Sequence, residues 1–411
     1  MKQETNEKRT MEIVYVANVF PYPPTNGHCI RNYNLLKRIG ENHNLHLRLL
    51  VHETPTEEQL MGLAPFVKSL RYYLQPEVGA FAQPVRGLRY LMRGIPPDLR
   101  FSMNHVLMQD LRHFFDENDV DILQIEDPTM ALYINAIPKG SRIKTVLTFH
   151  DINFKKFERI AKLEPSFKRK LRLRFHSRMM RKWEPKFAAR FNRCVTMSDV
   201  DRALLTDIDP ELRVHTIPNG VDTELFQLFP EKTNTLMYHL LFVGNMDYRP
   251  NIEAVKWFVE QVMPWLDQSL PNYMFWIVGV NPRDEVLALK SPKVQVTGRV
   301  PDVRPYYENA HIVLVPLFAG GGTRLKILEA LSLGRPVVST TIGAEGLELT
   351  PGQHLLIADD VQEFRSGIEA LIQDDMFRQN IIAQGRECVV NTYDWGAISE
   401  NLEELYLRLI R

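Results

Sequence analysis

The sequence predicts an α/β protein built from two doubly wound parallel sheets, each flanked by helices and facing the other across a cleft. Three observations point there. Short apolar runs alternate with helical segments, as strands of a parallel sheet do. The pattern restarts after a polar stretch near residue 230. At 411 residues the chain also exceeds the size at which one core keeps growing, so two domains are expected.

The first half opens with the buried-type strand EIVYVANVF (12–20), the turn-rich loop PYPPTNGH and an amphipathic helix from about Ile30 to Ile39. LHLRLLVH (45–52), VDILQIE (120–126) and IKTVLTFH (143–150) are further apolar runs, followed by RCVTMSD (193–199) and VHTIPNGVD (214–222). In the second half YHLLFVG (238–244), YMFWIVG (273–279), VQVTG (294–298), HIVLVP (311–316) and PVVST (336–340) read as strands, with a helix from about Asn251 to Leu266. YDWGAISENLEELYLRLI (393–410) reads as an amphipathic helix. The expected division is a tail over 1–10, a first domain over 11–222 joined by the last helix (396–411), a linker over 223–235 and a second domain over 236–395.

PLFAGGGTRLKILEALSLGRPVVST (316–340) places three glycines directly before a helix. Gly334, Arg335 and Pro336 stop that helix before the next strand. A helix start presents unpaired N–H groups and the positive end of a dipole, so an anion is its natural guest. Side chains at residues 320–322 would hold that guest away from the amides. Thr323, Arg324 and Lys326 add a hydroxyl and two cations in the same turn.

Composition excludes several classes. With 45% apolar and 24% charged residues the chain is globular, and its 50 basic and 50 acidic residues balance, so bulk charge names no partner and nucleic acid is not expected. Cys29, Cys194 and Cys388 are far apart, which speaks against a zinc site or disulfide framework and fits a reducing cytoplasm. The polar start MKQETNEKRT is unlike a signal peptide, and no run of about 18 apolar residues occurs. One segment departs from the average. Residues 155–193 hold fifteen Lys or Arg against three Glu, interleaved with Phe, Leu, Met and Trp. Such a helix suits either an anionic membrane surface or a solvated basic face.

The loop PPTNGH, then TFHD, PNGVD, VGNMDYRPNIEAVKWF and GGGTRLKILEALSLGRPVVSTTIGAEGL occur in that order. In this combination the chain resembles the group 1 (family 4) glycosyltransferases of the GT-B fold, whose two domains are Rossmann-like, from about residue 12 to 409. The resemblance implies transfer of a sugar from a nucleotide-diphosphate sugar, with retention, to a saccharide or polyprenyl-linked acceptor in polysaccharide or glycoconjugate assembly. The cysteine usage and the basic 155–193 segment add the expectation of a cytoplasmic enzyme, peripheral on the inner face of a membrane, and with the nucleotide-sugar as co-substrate the fixed cations remove the need for a metal cofactor. Departure of a diphosphate develops negative charge, and donors aimed at it supply much of catalysis.

On that basis Arg249, Lys326 and His150 are the catalytic candidates. Gly321, Gly322 and Thr323 would offer backbone N–H groups to the diphosphate, with Arg324 as a further cation. Glu329 would accept from the ribose hydroxyls. Arg299 and Val300, in VTGRVPD, would frame the base, and Gly27 would let backbone approach the donor. Glu126, Asn26 and His28 are acceptor-side candidates, while Asp127 suits a helix cap. Members often carry a second, earlier glutamate, separated from the one at the Glu329 position by seven intervening residues, to hold the sugar. The nearby GGG stretch has Gly321 in its place, which leaves the sugar open. Two alternatives remain at this stage: a nucleotide-sugar epimerase or hydrolase on the same fold, and a non-catalytic GT-B subunit.

Overall fold

The computed structural model describes residues 9–75, 92, 94–96, 99, 102–230, 236–270, 272–320 and 323–411. It divides into two units, one comprising residues 1–218 with 398–411 and the other residues 219–397.

Among the described residues, unit 1 is built on a seven-stranded sheet. Its strands are β1 (Glu12–Ala17), β2 (Asn44–Val51), β3 (Ser69–Leu74), β4 (Ile122–Glu126), β5 (Lys144–Phe149), β6 (Arg193–Thr196) and β7 (Val214–Thr216), in the spatial order β3-β2-β1-β4-β5-β6-β7. Each neighbouring pair is parallel; Val14 lies level with His46 on one side and Leu123 on the other. Strands 1, 4 and 5 are buried along nearly their whole length, as expected of a parallel sheet covered on both faces. β3 was not anticipated, because SLRYYL is partly exposed at the sheet edge and carries a weak apolar signal.

Helices α1 (Gly27–Ile39), α2 (Glu57–Leu63), α3 (His105–Glu117), α4 (Asn153–Leu163), α5 (Phe167–Ala188) and α6 (Asp199–Thr206) accompany these strands. Their starts follow local chemistry. Asn26 caps α1 by accepting from Cys29 N, Thr56 and Gln59 form a capping box on α2, and Ser198 caps α6. α4 has no side-chain cap of its own. Buried Glu184 of α5 supplies one, accepting from Asn153 N at 3.1 Å and Phe154 N at 3.2 Å. Burial pushes that carboxyl up to about 8 against the pull of these hydrogen bonds.

Unit 2 holds a six-stranded parallel sheet of β8 (Tyr238–Val243), β9 (Tyr273–Val278), β10 (Val294–Gly298), β11 (Ile312–Val315), β12 (Val337–Ser339) and β13 (Leu356–Ile357), ordered β10-β9-β8-β11-β12-β13. Its helices are α7 (Arg249–Trp257), α8 (Met263–Ser269), α9 (Asp284–Leu287), α10 (Arg304–Asn309), α11 (Leu325–Ser332), α12 (Val361–Gln373) and α13 (Asp375–Thr392). The helix expected over 251–266 is interrupted: a π-helical turn, Phe258–Val262, separates α7 from α8. The last helix, α14 (Trp395–Ile410), begins in unit 2 and passes into unit 1 from Ile398 onward.

The boundary differs from the expected 222/223. Residues 219–230 pack on unit 2: Phe226 and Phe229 lie against its core, Phe229 N donates to Leu333 O, and Ser332 Oγ donates to Phe226 O at 2.6 Å. The polar look of this stretch concealed two aromatic anchors. The rest of the expected linker, 231–235, lies outside the described residues, as do residues 1–8 of the expected tail. No described helix is long and apolar enough to cross a membrane.

Candidate functional site

In open parallel sheets, ligands bind at the carboxyl ends of strands where the strand order reverses. In unit 2 that point lies between β8 and β11, and residues from both strand ends meet there. Gly244 directly follows β8, and a Cβ at this position would lie 2.8 Å from Asn251 Nδ2 and 3.0 Å from Lys326 Nζ. The missing side chain lets Lys326 reach over the strand end, where Nζ donates to Asn251 Oδ1 at 3.3 Å and sits 4.0 Å from the centre of the Phe242 ring. Asn251 is itself held by donation to Asn245 O at 2.9 Å.

From β11 the chain runs through Pro316 to Gly320, whose φ of +122° favours glycine. A side chain there would meet Arg324 Nη2 at 2.7 Å. Arg324 is 9% exposed and sits immediately before α11, a helix whose first turn has no side-chain cap. Thr323 Oγ1 accepts from Asn219 Nδ2 at 2.7 Å, which fixes the approach to the helix. Gly321 and Gly322, expected to present their amides here, lie outside the described residues. The described part of the site is a helix start lacking a side-chain cap, with Arg324 and Lys326 beside it. Such an arrangement suits an anion.

Electrostatics sharpen this reading. Burial, together with the neighbouring Arg324 charge and only partly offset by Glu329, brings the Lys326 ammonium down to about 7. A cation in such a position gains most from an incoming anion. Glu329 lies one turn further along α11, its carboxyl raised by burial against the influence of Tyr307 and Lys326. Tyr307 donates to Glu329 Oε2 at 2.9 Å and so orients the group expected to meet ribose.

Arg249 occupies the first position of α7, but it is not committed to that anion site. It pairs with Glu253 one turn on and, through Nη1 at 2.8 Å, with Glu285 of α9, which also binds Lys256. Its charge is therefore compensated by two carboxylates, and a diphosphate would have to compete with them. The Glu285 pairing was not anticipated, since that residue is distant in sequence. Arg299 is exposed just beyond β10, and Val300 packs partly against the unit 2 core. Asn251, Tyr307 and Gly244 were also missed, although Gly244 ends an apolar run and Asn251 lies within YRPN.

Unit 1 has its own reversal point, between β1 and β4. His150 follows β5 and is 5% exposed, with Nε2 2.9 Å from Glu126 Oε2 at the end of β4. The other Glu126 oxygen accepts from Gln124 Nε2 at 2.6 Å and Thr148 Oγ1 at 2.8 Å. Burial alone would raise the Glu126 carboxyl; His150, Arg31 and Gln124 outweigh it and hold the group at about 2. Tyr406 of α14 donates to Gln124 Oε1 at 3.1 Å, extending the network to the last helix.

The acceptor contact expected of Glu126 therefore needs correction: at 1% exposure, with its oxygens engaged, this carboxylate orients His150. His28, in the first turn of α1, lies against the His150 ring with centroids 4.1 Å apart. Burial, followed by the nearby His150, drives its imidazole down to about 3, so it is neutral at physiological pH. Gly27 is exposed at the α1 start, and Asn26 is occupied as the cap. Asp127 accepts from Thr129 N at 2.7 Å and caps the following 3-10 turn, Pro128–Ala136.

Two doubly wound parallel sheets, the second with an uncapped helix start and two cations at its strand-order reversal, define an α/β protein of two Rossmann-like units. Residues 238–374 match the family of glycosyl transferases group 1, and residues 61–225 match Glycosyltransferase Family 4. The chain belongs to the group 1 (family 4) glycosyltransferases, and its fold is GT-B. It is 22% identical to a phosphatidyl-myo-inositol mannosyltransferase of Mycobacterium leprae over 75% of this chain and 78% of the relative. In structure it is similar to sucrose-phosphate synthase of Thermosynechococcus elongatus, with a TM-score of 0.70, 16% identity and coverage of 97% of this chain and 99% of that one. It is likewise similar to the Anabaena protein HepE in complex with UDP and glucose, with a TM-score of 0.65, 14% identity and coverage of 96% and 99%.

Proposed function

We propose that this glycosyltransferase moves a hexose from a nucleotide-diphosphate sugar to a saccharide or lipid-linked acceptor with retention of anomeric configuration, without a metal. One observation carries the donor assignment: Lys326 and Arg324 converge at the uncapped start of α11, above the glycine that follows β8. The relative named for mannosyl transfer to phosphatidyl-myo-inositol and the neighbour solved with UDP and glucose support a diphosphate donor and a lipid or sugar acceptor.

The chemistry follows from charge. The bond between the anomeric carbon and the β-phosphate oxygen breaks, and both electrons leave with the diphosphate. Lys326 and Arg324 offset the charge that develops there, the task for which a metal would otherwise serve. The acceptor oxygen attacks from the face the diphosphate leaves, and the departing phosphate oxygen takes the acceptor proton. Glu329, oriented by Tyr307, accepts from the ribose hydroxyls. His150, held through Nε2 by Glu126, presents its other ring nitrogen to a sugar hydroxyl. The reaction belongs to polysaccharide or glycoconjugate assembly on the cytoplasmic side of a membrane.

The test is a thermal-shift panel of nucleoside diphosphates and nucleotide-sugars, with and without EDTA. A ligand at about 100 times its dissociation constant adds roughly 2.7 kcal/mol of stability. Stabilisation by one base series, unaltered by EDTA and lost in Lys326→Ala, is the expected result. No response to any nucleotide would overturn the donor site, and a response abolished by EDTA would overturn metal independence.

A further inference from the structure

The hairpin of α4 and α5 has one face fixed against unit 1 and another turned to solvent. The inner face is secured by buried Met180, Trp183 and Glu184, and the two helices are tied to each other by Ser177 Oγ donating to Phe154 O at 2.7 Å and by the edge of Phe157 against His176 at 4.4 Å. Outward, the first half of α5 carries Phe167, Leu171 and Phe175, which are 78%, 59% and 54% exposed. Spacing of four residues puts all three on one stripe. Helical geometry sets Arg174 and Arg178 within the same face, with Lys168, Lys170 and Arg172 on its margins. No acidic residue occurs from 165 to 183, while eight Lys or Arg do.

A solvated basic face accounts for the cations alone. It leaves unexplained three large apolar side chains held in water among them. Apolar groups that project from a field of cations match the layered chemistry of a bilayer surface, with anionic headgroups outside and acyl chains beneath. An acidic protein groove or a nucleic acid would satisfy the arginines and leave the Phe167–Leu171–Phe175 stripe without a complementary layer. We propose that this face of α5 docks the enzyme on a bilayer bearing anionic lipids. The stripe enters the headgroup boundary while the flanking cations neutralise headgroup charge. The surface is independent of the donor site, and its test needs no nucleotide.

The experiment is flotation of the full-length protein with vesicles of phosphatidylcholine alone and of phosphatidylcholine with phosphatidylglycerol. Each cation brought against an anionic surface strengthens binding about fivefold. Arg172→Gln/Arg174→Gln/Arg178→Gln is thus expected to weaken binding to the anionic vesicles by roughly a hundredfold. Phe167→Ser/Leu171→Ser/Phe175→Ser is expected to weaken it at least about tenfold and to remove the part that survives high salt. Circular dichroism and an unchanged nucleotide thermal shift establish that both variants are folded. Absence of binding to anionic vesicles overturns the proposal. So does binding that the apolar variant leaves intact, or equal affinity for heparin and vesicles in wild type and apolar variant alike, since either would reduce the face to a general polyanion surface.

Discussion

Donor binding should be coupled to proton uptake through Lys326. With its ammonium brought down to about 7, roughly half of the Lys326 side chains are neutral at pH 7 in the ligand-free protein. A diphosphate within about 4–6 Å raises a cationic group by about 1 to 3 pKa units, so the bound form is almost fully protonated. Binding should therefore take up about 0.4–0.5 proton at pH 7, about 0.4–0.9 at pH 8 and about 0.1 or less at pH 6. The ligand should be a nucleotide-sugar, whose pyrophosphate is esterified at both ends and does not titrate in this range. Calorimetry at each pH in buffers of different ionisation enthalpy reads the number directly. Lys326→Arg keeps the charge at all three pH values and should abolish the uptake while binding persists. Equal uptake in wild type and Lys326→Arg would refute the reasoning, because the titrating group would then lie elsewhere. The same shift sets a stability trend. Between about pH 7 and the ordinary lysine value the unfolded chain holds more protons than the folded one, so ligand-free stability contributed by this group rises with pH.

The carboxylates around Arg249 and His150 give two further expectations. Glu285→Gln loosens one of the pairings that hold Arg249, so the donor KM should fall, whereas Arg249→Ala should slow transfer by about a hundredfold or more if the arginine reaches the diphosphate. Steady-state kinetics with varied donor decides it, and unchanged constants in both variants would exclude Arg249 from the reaction. Glu126→Ala strips His150, Gln124 and Thr148 of a shared buried partner and should cost about 3–5 kcal/mol in urea unfolding of the unit carrying Trp183. Because the folded carboxyl is held at about 2, below its ordinary value near 4.5, its contribution is present at neutral pH and disappears as pH falls from about 4.5 to about 2. The deficit of the variant should therefore shrink at pH 3; a constant deficit would argue against an ionised Glu126.

Sequence pattern disclosed the strands that lie at the centre of each sheet. Val14, Ile125 and Leu147 sit in continuous apolar runs that a doubly covered parallel sheet requires. Glycines before a helical repeat also marked the helix start beside which Lys326 lies, whereas the role expected of Glu329 came from the family resemblance alone. What escaped it depends on residues brought together by the fold. Glu285 meets Arg249 only because α9 returns beside α7, and Tyr307 reaches Glu329 across 22 positions. The burial of Glu126 follows from Gln124, Thr148 and Tyr406 converging on one strand end. The helix expected over 251–266 is present, but its π-turn was not foreseen, because apolar periodicity continues through Phe258–Val262 even though the backbone widens there.

The passage of α14 into unit 1 has a consequence for the order in which the protein is made. Residues 398–411 belong with residues 1–218, and everything between them is unit 2. At translation rates of about 5–20 residues per second, unit 1 waits roughly ten to forty seconds for its last helix while unit 2 emerges complete. During that interval Gln124 lacks Tyr406 and His43 lacks Glu403, its partner at 3.3 Å. The polar network of unit 1 thus closes only after the whole of unit 2 has been synthesised.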